Sequence, residues 1–482
     1  MLFNSPVFIF GFLPVFYVVY LLLSRLRLHF LSLLWVLAAS LFFYMWWNPR
    51  YLPLLLSSIV VNYLIGRALL AASGGRKGIL ALGVVFNLAL LGYFKYAGFL
   101  AENINALTGA QWRVDIALPL AISFFTFQQI AFLVDAHKGR ISRLHPLEYA
   151  VFVSFFPQLI AGPIVHHSEM MPQFAKARRR VPAAMQAVAI SLFTFGLFKK
   201  TIIADGIAPV ANVIFARAEQ QEAMTFMEAF LGVLAYTLQL YYDFSGYSEM
   251  ALGLALFIGI RLPVNFLSPY KAASIIEFWR RWHITLSRFL RDYLYIPLGG
   301  NRKGRVRRYL NLMITMLLGG LWHGAGWTFV IWGGYHGLLL VLNHGWARVR
   351  EVLRLPPVPR PAAIALTFTL VMAGWIFFRA ESLAGALHLF QALLWPQQPG
   401  LEISRLQELL KAGGQGASFV ALTLAGGLVG VFALPSVVTW HLGGQGRARF
   451  RPGWPALILV LLMWGVILYQ AGGTHEFLYF QF

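Results

Sequence analysis

Runs of about twenty apolar residues, the length that crosses a bilayer's hydrocarbon as a helix, recur along the whole chain and alternate with short polar and basic clusters. Segment 6–24 ends on Arg25 and Arg27. An excess of Lys and Arg marks the cytoplasmic end of a membrane helix, so the N-terminus is expected outside. Segments 30–47 and 51–66 read as a hairpin turned at Pro49, and Arg67, Arg76 and Lys77 return the chain to the cytoplasmic side. Segment 78–98 goes out to a loop at 101–115 that is poor in basic residues, and 115–134 comes back. Segment 147–164 has basic clusters on both sides and is broken by Pro157 and Gly162-Pro163. That pattern predicts a re-entrant hairpin buried against protein, because irregular backbone does not face lipid.

Segment 184–212 crosses outward although Lys199, Lys200 and Asp205 interrupt it, and the chain re-enters from 225. Large apolar residues at helical spacing, interleaved with Arg280, Arg281, Arg288 and Arg291, predict an amphipathic helix on the cytoplasmic interface. The run 310–342 is basic at both ends and predicts a hairpin whose far turn carries the sequence GGLWHGAG. Segments 362–378, 417–439 and 454–470 complete the pattern, with a polar loop at 397–416 and the C-terminus outside by parity. The expectation is an all-α polytopic membrane protein of about eleven spans plus re-entrant and interfacial helices, with no internal repeat and no soluble domain.

Composition agrees. Of 482 residues, 59% are hydrophobic and only 12% charged, against about 25% charged in soluble chains; mean hydropathy is +0.67. The net charge of +21 would suit nucleic acid, but the basic residues sit between apolar segments, where topology requires them, and no nucleic-acid partner is expected. The absence of cysteine excludes disulfides, thiolate nucleophiles and thiolate metal sites. The N-terminal stretch has no basic region or small-residue cleavage site and is expected to remain as the first span.

Candidate chemistry centres on His323. Fifteen residues separate it from Arg308, about 22 Å of helix at about 1.5 Å per residue, so it lies deep in the membrane. Intramembrane ionisable groups are costly and usually functional, and a neutral imidazole there can act as a general base. His336 follows at a spacing unsuited to a metal pair, with no carboxylate nearby, so no metal is expected; it reads first as a polar packing residue, and as a supporting catalytic residue second. His283 belongs to the expected interfacial helix; His166 and His167 flank the re-entrant segment. Asp243, in YYDFSGYS, reads either as a turn-capping carboxylate or as a substrate contact.

Seven motifs in order resemble a known family: LPLAISFFTFQQIAFLVD, FFPQLIAGPIV, GLFKKTIIAD, YDFSGYSEMALGLALFIGIRLPVNF, EFWRRWHITLSRFLRDYLYIPLGGNR, GGLWHGAGWTFVIWGGYHG and GWIFFRA. They look like the bacterial membrane-bound O-acyltransferases (MBOAT), in particular the alginate O-acetyltransferase group, over essentially the whole chain; the D-alanyl-lipoteichoic acid transferases are similar but more distant. The resemblance implies one integral-membrane domain over 1–482, a helical bundle around a central tunnel, with a catalytic core at about 115–380 and a C-terminal aromatic tail at 471–482.

The resemblance further implies that His323, in the WHG motif, is the essential histidine. The family's second polar position, about two helices later, is met here only by Thr367 or Thr369, and His166 stands where GPIV is usually followed by Arg. The tail HEFLYFQF resembles an aromatic motif whose tyrosine is thought to relay the acyl group, here Tyr479. Trp322, Asp243, His283, Arg280 and Arg281 are the candidate substrate contacts. The implied reaction moves acetyl from a cytoplasmic donor, acetyl-CoA, across the bacterial inner membrane, with no tightly bound cofactor. The implied partners are a periplasmic SGNH-type transferase, a polysaccharide biosynthesis complex and the membrane lipids. The acceptor is an exopolysaccharide, alginate-type first, with cellulose, peptidoglycan or another glycan as alternatives. A transporter would show an inverted repeat, and a scaffold of an export complex would survive loss of His323.

Overall fold

The computed structural model describes residues 1–176, 181–395, 403–411, 416–443, 450–470 and 477–478. Among them it is helical with no strand. Five stretches, Val7–Arg25, Pro49–Ala71, Arg76–Thr108, Ala183–Glu219 and Arg360–Arg379, are long and apolar enough to cross a membrane, and His29–Met45, Leu383–Leu394, Ala417–Ala433 and Trp454–Tyr469 are shorter apolar helices. The described residues divide into two compact units: those of 1–194 with 247–264, and those of 195–246 with 265–478.

In the first unit, apolar side chains facing lipid gain little by meeting one another, so small and polar residues hold the helices together. Asn62 and Asn87 are fully buried and exchange amide hydrogen bonds, Asn87 Nδ2 to Asn62 Oδ1 at 2.6 Å and Asn62 Nδ2 to Asn87 Oδ1 at 3.3 Å. Gln129 donates to Ser58 Oγ at 2.8 Å and accepts from the Tyr149 hydroxyl at 3.1 Å. Asn62→Ala should cost about 1 kcal/mol, since it removes the donor to the buried Asn87 Oδ1. Thermal unfolding in detergent should show a lower midpoint for that variant than for the Asn62→Leu/Asn87→Leu double variant; the reverse order would refute the pair's role.

The expected re-entrant stretch is two short pieces, Pro146–Ser154 and Phe156–Leu159, and every residue from Val151 to Val165 is buried. The broken backbone is satisfied by protein: Gln128 and Gln158 both donate to the Phe152 carbonyl, at 2.8 and 2.7 Å. Two boundaries differ from expectation. The stretch read as a loop at 101–115 continues as helix Ala97–Thr108, and the returning helix begins only at Ile122.

In the second unit, the 310–342 hairpin takes the expected form, with helices Gly304–His323 and Trp327–Val352 joined through a tight bend at Ala325, Gly324 and Gly326 on either side being extended. The two helices touch at Gly320 and Gly333: a Cβ on Gly320 would run into the Phe329 carbonyl and lie 3.0 Å from the Gly333 Cα. The wider-turned π segment Lys199–Ala204 joins helices Ala183–Phe198 and Asp205–Glu219.

The continuous amphipathic helix expected around His283 does not form. Helices Ile275–Trp279 and Ile284–Leu290 are separated by a turn in which His283 takes the left-handed conformation, φ 41° and ψ 54°. Residues 265–267 compete for its hydrogen bonds. The Asn265 carbonyl accepts the Ile284 N–H at 3.0 Å, its Oδ1 accepts the Thr285 N–H at 3.3 Å, and the Arg281 carbonyl accepts the Leu267 N–H at 3.0 Å. His283 is therefore fully buried instead of lying at the headgroups.

Candidate active site

His323 is the last residue of its helix, because Gly324 leaves helical backbone with φ −154° and ψ 147°. It is 4% exposed and held by rings: Trp322 at 4.9 Å, Trp332 at 5.1 Å and Phe378 at 5.2 Å between centroids. It also lines an apolar cavity of about 190 Å³ together with Trp279, Ser287, Thr315, Trp332 and the exposed Arg291. A buried base on the wall of such a space can meet a substrate with little competing water, which raises the effect of each polar contact.

Among the described residues, a histidine beside it comes from upstream, not from two helices downstream. The His283 ring lies 6.4 Å from the His323 ring, centroid to centroid, and its Nδ1 is 3.1 Å from Asn265 Oδ1. That oxygen also accepts the Thr285 hydroxyl at 3.0 Å. As an acceptor it places the hydrogen on His283 Nδ1 and leaves Nε2 as the basic nitrogen. The turn that breaks the helix thus also orients the imidazole. Asn265 was not singled out from the sequence; its motif, LPVNF, gave no local sign that it would reach a turn eighteen residues away. Thr367, a candidate for the second polar position, instead donates to the Ala363 carbonyl of its own helix at 2.8 Å.

His336 is fully buried in an aromatic box of Trp332 at 5.0 Å, Trp279 at 5.1 Å and Tyr335 at 5.5 Å. Neither ring nitrogen has a hydrogen-bond partner among the described residues. It packs behind Trp332 and does not line the His323 cavity. Trp322, 3% exposed, flanks both His323 and His283, its ring 4.9 Å from the first and 6.3 Å from the second.

Three sequence candidates are placed away from the cavity. Arg280 is exposed, and Arg281 pairs with Glu277 at 2.7 Å; Arg291, whose Nε and Nη2 grip Asp292 at 2.7 and 3.1 Å, takes the lining position. Asp243 is neither a turn cap nor a cavity residue. It lies within helix Phe226–Phe257, 1% exposed, and pairs with Lys200 at 2.8 Å. Lys200 also pairs with Asp205 at 2.7 Å. Tyr479 lies outside the described residues, while Phe477 and Leu478, just before it, are buried.

Residues 69–378 match the membrane-bound O-acyltransferase family. The chain is 45% identical over 425 residues to a peptidoglycan O-acetyltransferase of Helicobacter pylori, covering 82% of this chain and 80% of that one. It is 42% identical over 443 residues to the probable alginate O-acetylase AlgI of Pseudomonas aeruginosa, covering 90% and 82%. Against the probable alginate O-acetylase AlgI of Azotobacter vinelandii it is 41% identical over 465 residues, covering 93% and 88%. With the family's region spanning both histidines and the cavity, the chain belongs to the membrane-bound O-acyltransferases, as a multi-pass membrane enzyme that transfers acyl groups to oxygen.

Proposed function

We propose that the enzyme takes acetyl from acetyl-CoA on the cytoplasmic side of the bacterial inner membrane and delivers it to the periplasmic side for O-acetylation of a polysaccharide. The observation that carries this reading is the cavity whose lining runs from exposed Arg291 to buried His323. Its apolar walls suit a thin thioester arm. The basic run at 302–308 suits the donor's phosphates, which guanidinium groups bind in bidentate fashion.

In the proposed reaction a hydroxyl attacks the thioester carbonyl while His323 takes its proton. The C–S bond breaks as the new C–O bond forms, and the proton passes on to the departing thiolate. Tyr479 is the proposed hydroxyl, and its acetyl ester passes to a periplasmic SGNH-type partner working with a polysaccharide biosynthesis complex. An alginate-type exopolysaccharide is the first choice of acceptor, supported by the relatives named alginate O-acetylases. Peptidoglycan is the second reading, favoured by the 45% identity to the Helicobacter pylori protein.

The test is thiol release from acetyl-CoA by the purified protein, compared with a variant that fills the cavity. Ser287→Trp adds a ring where the thioester arm is expected to run, and should raise KM for acetyl-CoA at least about 10-fold while the unfolding midpoint holds. Unchanged KM would remove the cavity from the donor's path. Mass spectrometry of glycans from cells with and without the gene then identifies the acceptor: lost O-acetyl on alginate supports the first choice, and loss on peptidoglycan replaces it.

A further inference from the structure

Lys200 and Asp243 are buried almost completely, with side chains 1% and 2% exposed, yet neither lines the His323 cavity. A buried ion pair is costly unless its remaining lone pairs and protons are also satisfied. Here two carboxylates, Asp205 and Asp243, face one ammonium, so oxygen lone pairs are left over. One is taken by the chain's own C-terminal segment. The backbone N–H of Leu478 donates to Asp243 Oδ2 at 3.1 Å, across 235 residues of sequence. The Lys200 ammonium sits 4.8 Å from the centre of the Phe477 ring, within cation–π range. Phe477 is fully buried and Leu478 8% exposed.

This cluster is close to the reacting histidine. Phe244, next to Asp243, packs its ring 4.9 Å from the His283 ring, which in turn lies 6.4 Å from that of His323. We propose that Asp243 and Lys200 form a clasp for the C-terminal segment, holding Leu478 by its backbone and Phe477 by its ring, and so positioning the tail at the catalytic end of the unit. The recognition is of main chain and an aromatic face. Asp243 and Lys200 are then positioning residues and touch no substrate. The consequence for transfer rests on the reading of Tyr479, the next residue in sequence, as the acyl carrier; the clasp itself does not.

The chain has no cysteine, so an introduced one is the sole thiol. Leu478→Cys keeps the backbone N–H and reports whether the segment is docked. In membranes its labelling by a membrane-impermeant maleimide should be slow. Adding Asp243→Ala should speed it at least 10-fold, while a control thiol, Ala136→Cys in the other unit, stays unlabelled in the same background. Equal rates at position 478 would overturn the clasp, and so would a rise shared by both thiols, which would make Asp243 merely structural. Phe477→Ala leaves every buried charge in place and should also speed labelling at 478 several-fold; no change there would count against the clasp. If the labelling differences hold but Tyr479 never carries acetyl, the relay fails and the clasp stands.

Discussion

His323→Ala should lower thiol release from acetyl-CoA by on the order of 10³-fold, within the range a positioned general base contributes. The loss should fall on kcat, because the imidazole's neighbours are the rings of Trp322, Trp332 and Phe378, and the cavity walls that would hold the donor remain. Truncation leaves a gap beside these rings, so a modest drop in unfolding midpoint is expected, but the fold should survive. Two readouts separate chemistry from structure. Added imidazole should restore part of the rate in His323→Ala, and the variant should still extract as a homogeneous protein. Activity within 10-fold of the parent would remove His323 from proton transfer. Activity lost together with the fold would require the same measurement on His323→Gln, which keeps volume and polarity but is not a base.

The hairpin that carries His323 was legible because local signals agree there: basic ends, an apolar run, and glycines clustered where the chain turns. Those glycines do what the pattern implied, since Gly320 and Gly333 bring two backbones into contact and Gly324 ends the first helix beside the histidine. The buried break at 146–165 was legible for a similar reason, with Pro157 and the Gly162-Pro163 pair marking it.

His283 was misjudged because its turn carries no such mark. The flanking arginines and the helical spacing read as an interfacial helix, and no glycine or proline sits at the left-handed residue. What breaks the helix is Asn265 reaching in from another segment, a long-range effect that no local pattern records. The same holds for Asp243. Its neighbours predicted burial correctly, but its partner is 43 positions upstream, on a π segment whose extra width the spacing of apolar residues does not reveal. Covalent neighbours are read from sequence; partners brought together by tertiary packing are not.

Tyr479→Phe should separate the two halves of the proposed reaction, because it deletes one oxygen and leaves the aromatic tail otherwise intact. In the parent, incubation with acetyl-CoA should leave an acetyl adduct on the C-terminal peptide, detected by mass spectrometry. The energetic order supports such a carrier. An aryl ester stays activated and acylates a sugar hydroxyl downhill, the phenol's pKa of about 10 lying well below that of an alcohol. In Tyr479→Phe the adduct should vanish and transfer to the polysaccharide should fall by on the order of 10³-fold or more, as for removal of other covalent nucleophiles. Thiol release should fall to the slow rate of water attack, since His323 and the cavity persist. The clasp sharpens the comparison: Leu478 and Phe477 keep their contacts with Asp243 and Lys200 in this variant, so the tail remains docked and only the nucleophile is missing. Full polysaccharide transfer by Tyr479→Phe would eliminate the relay and require the acetyl group to reach its acceptor directly from the donor at His323.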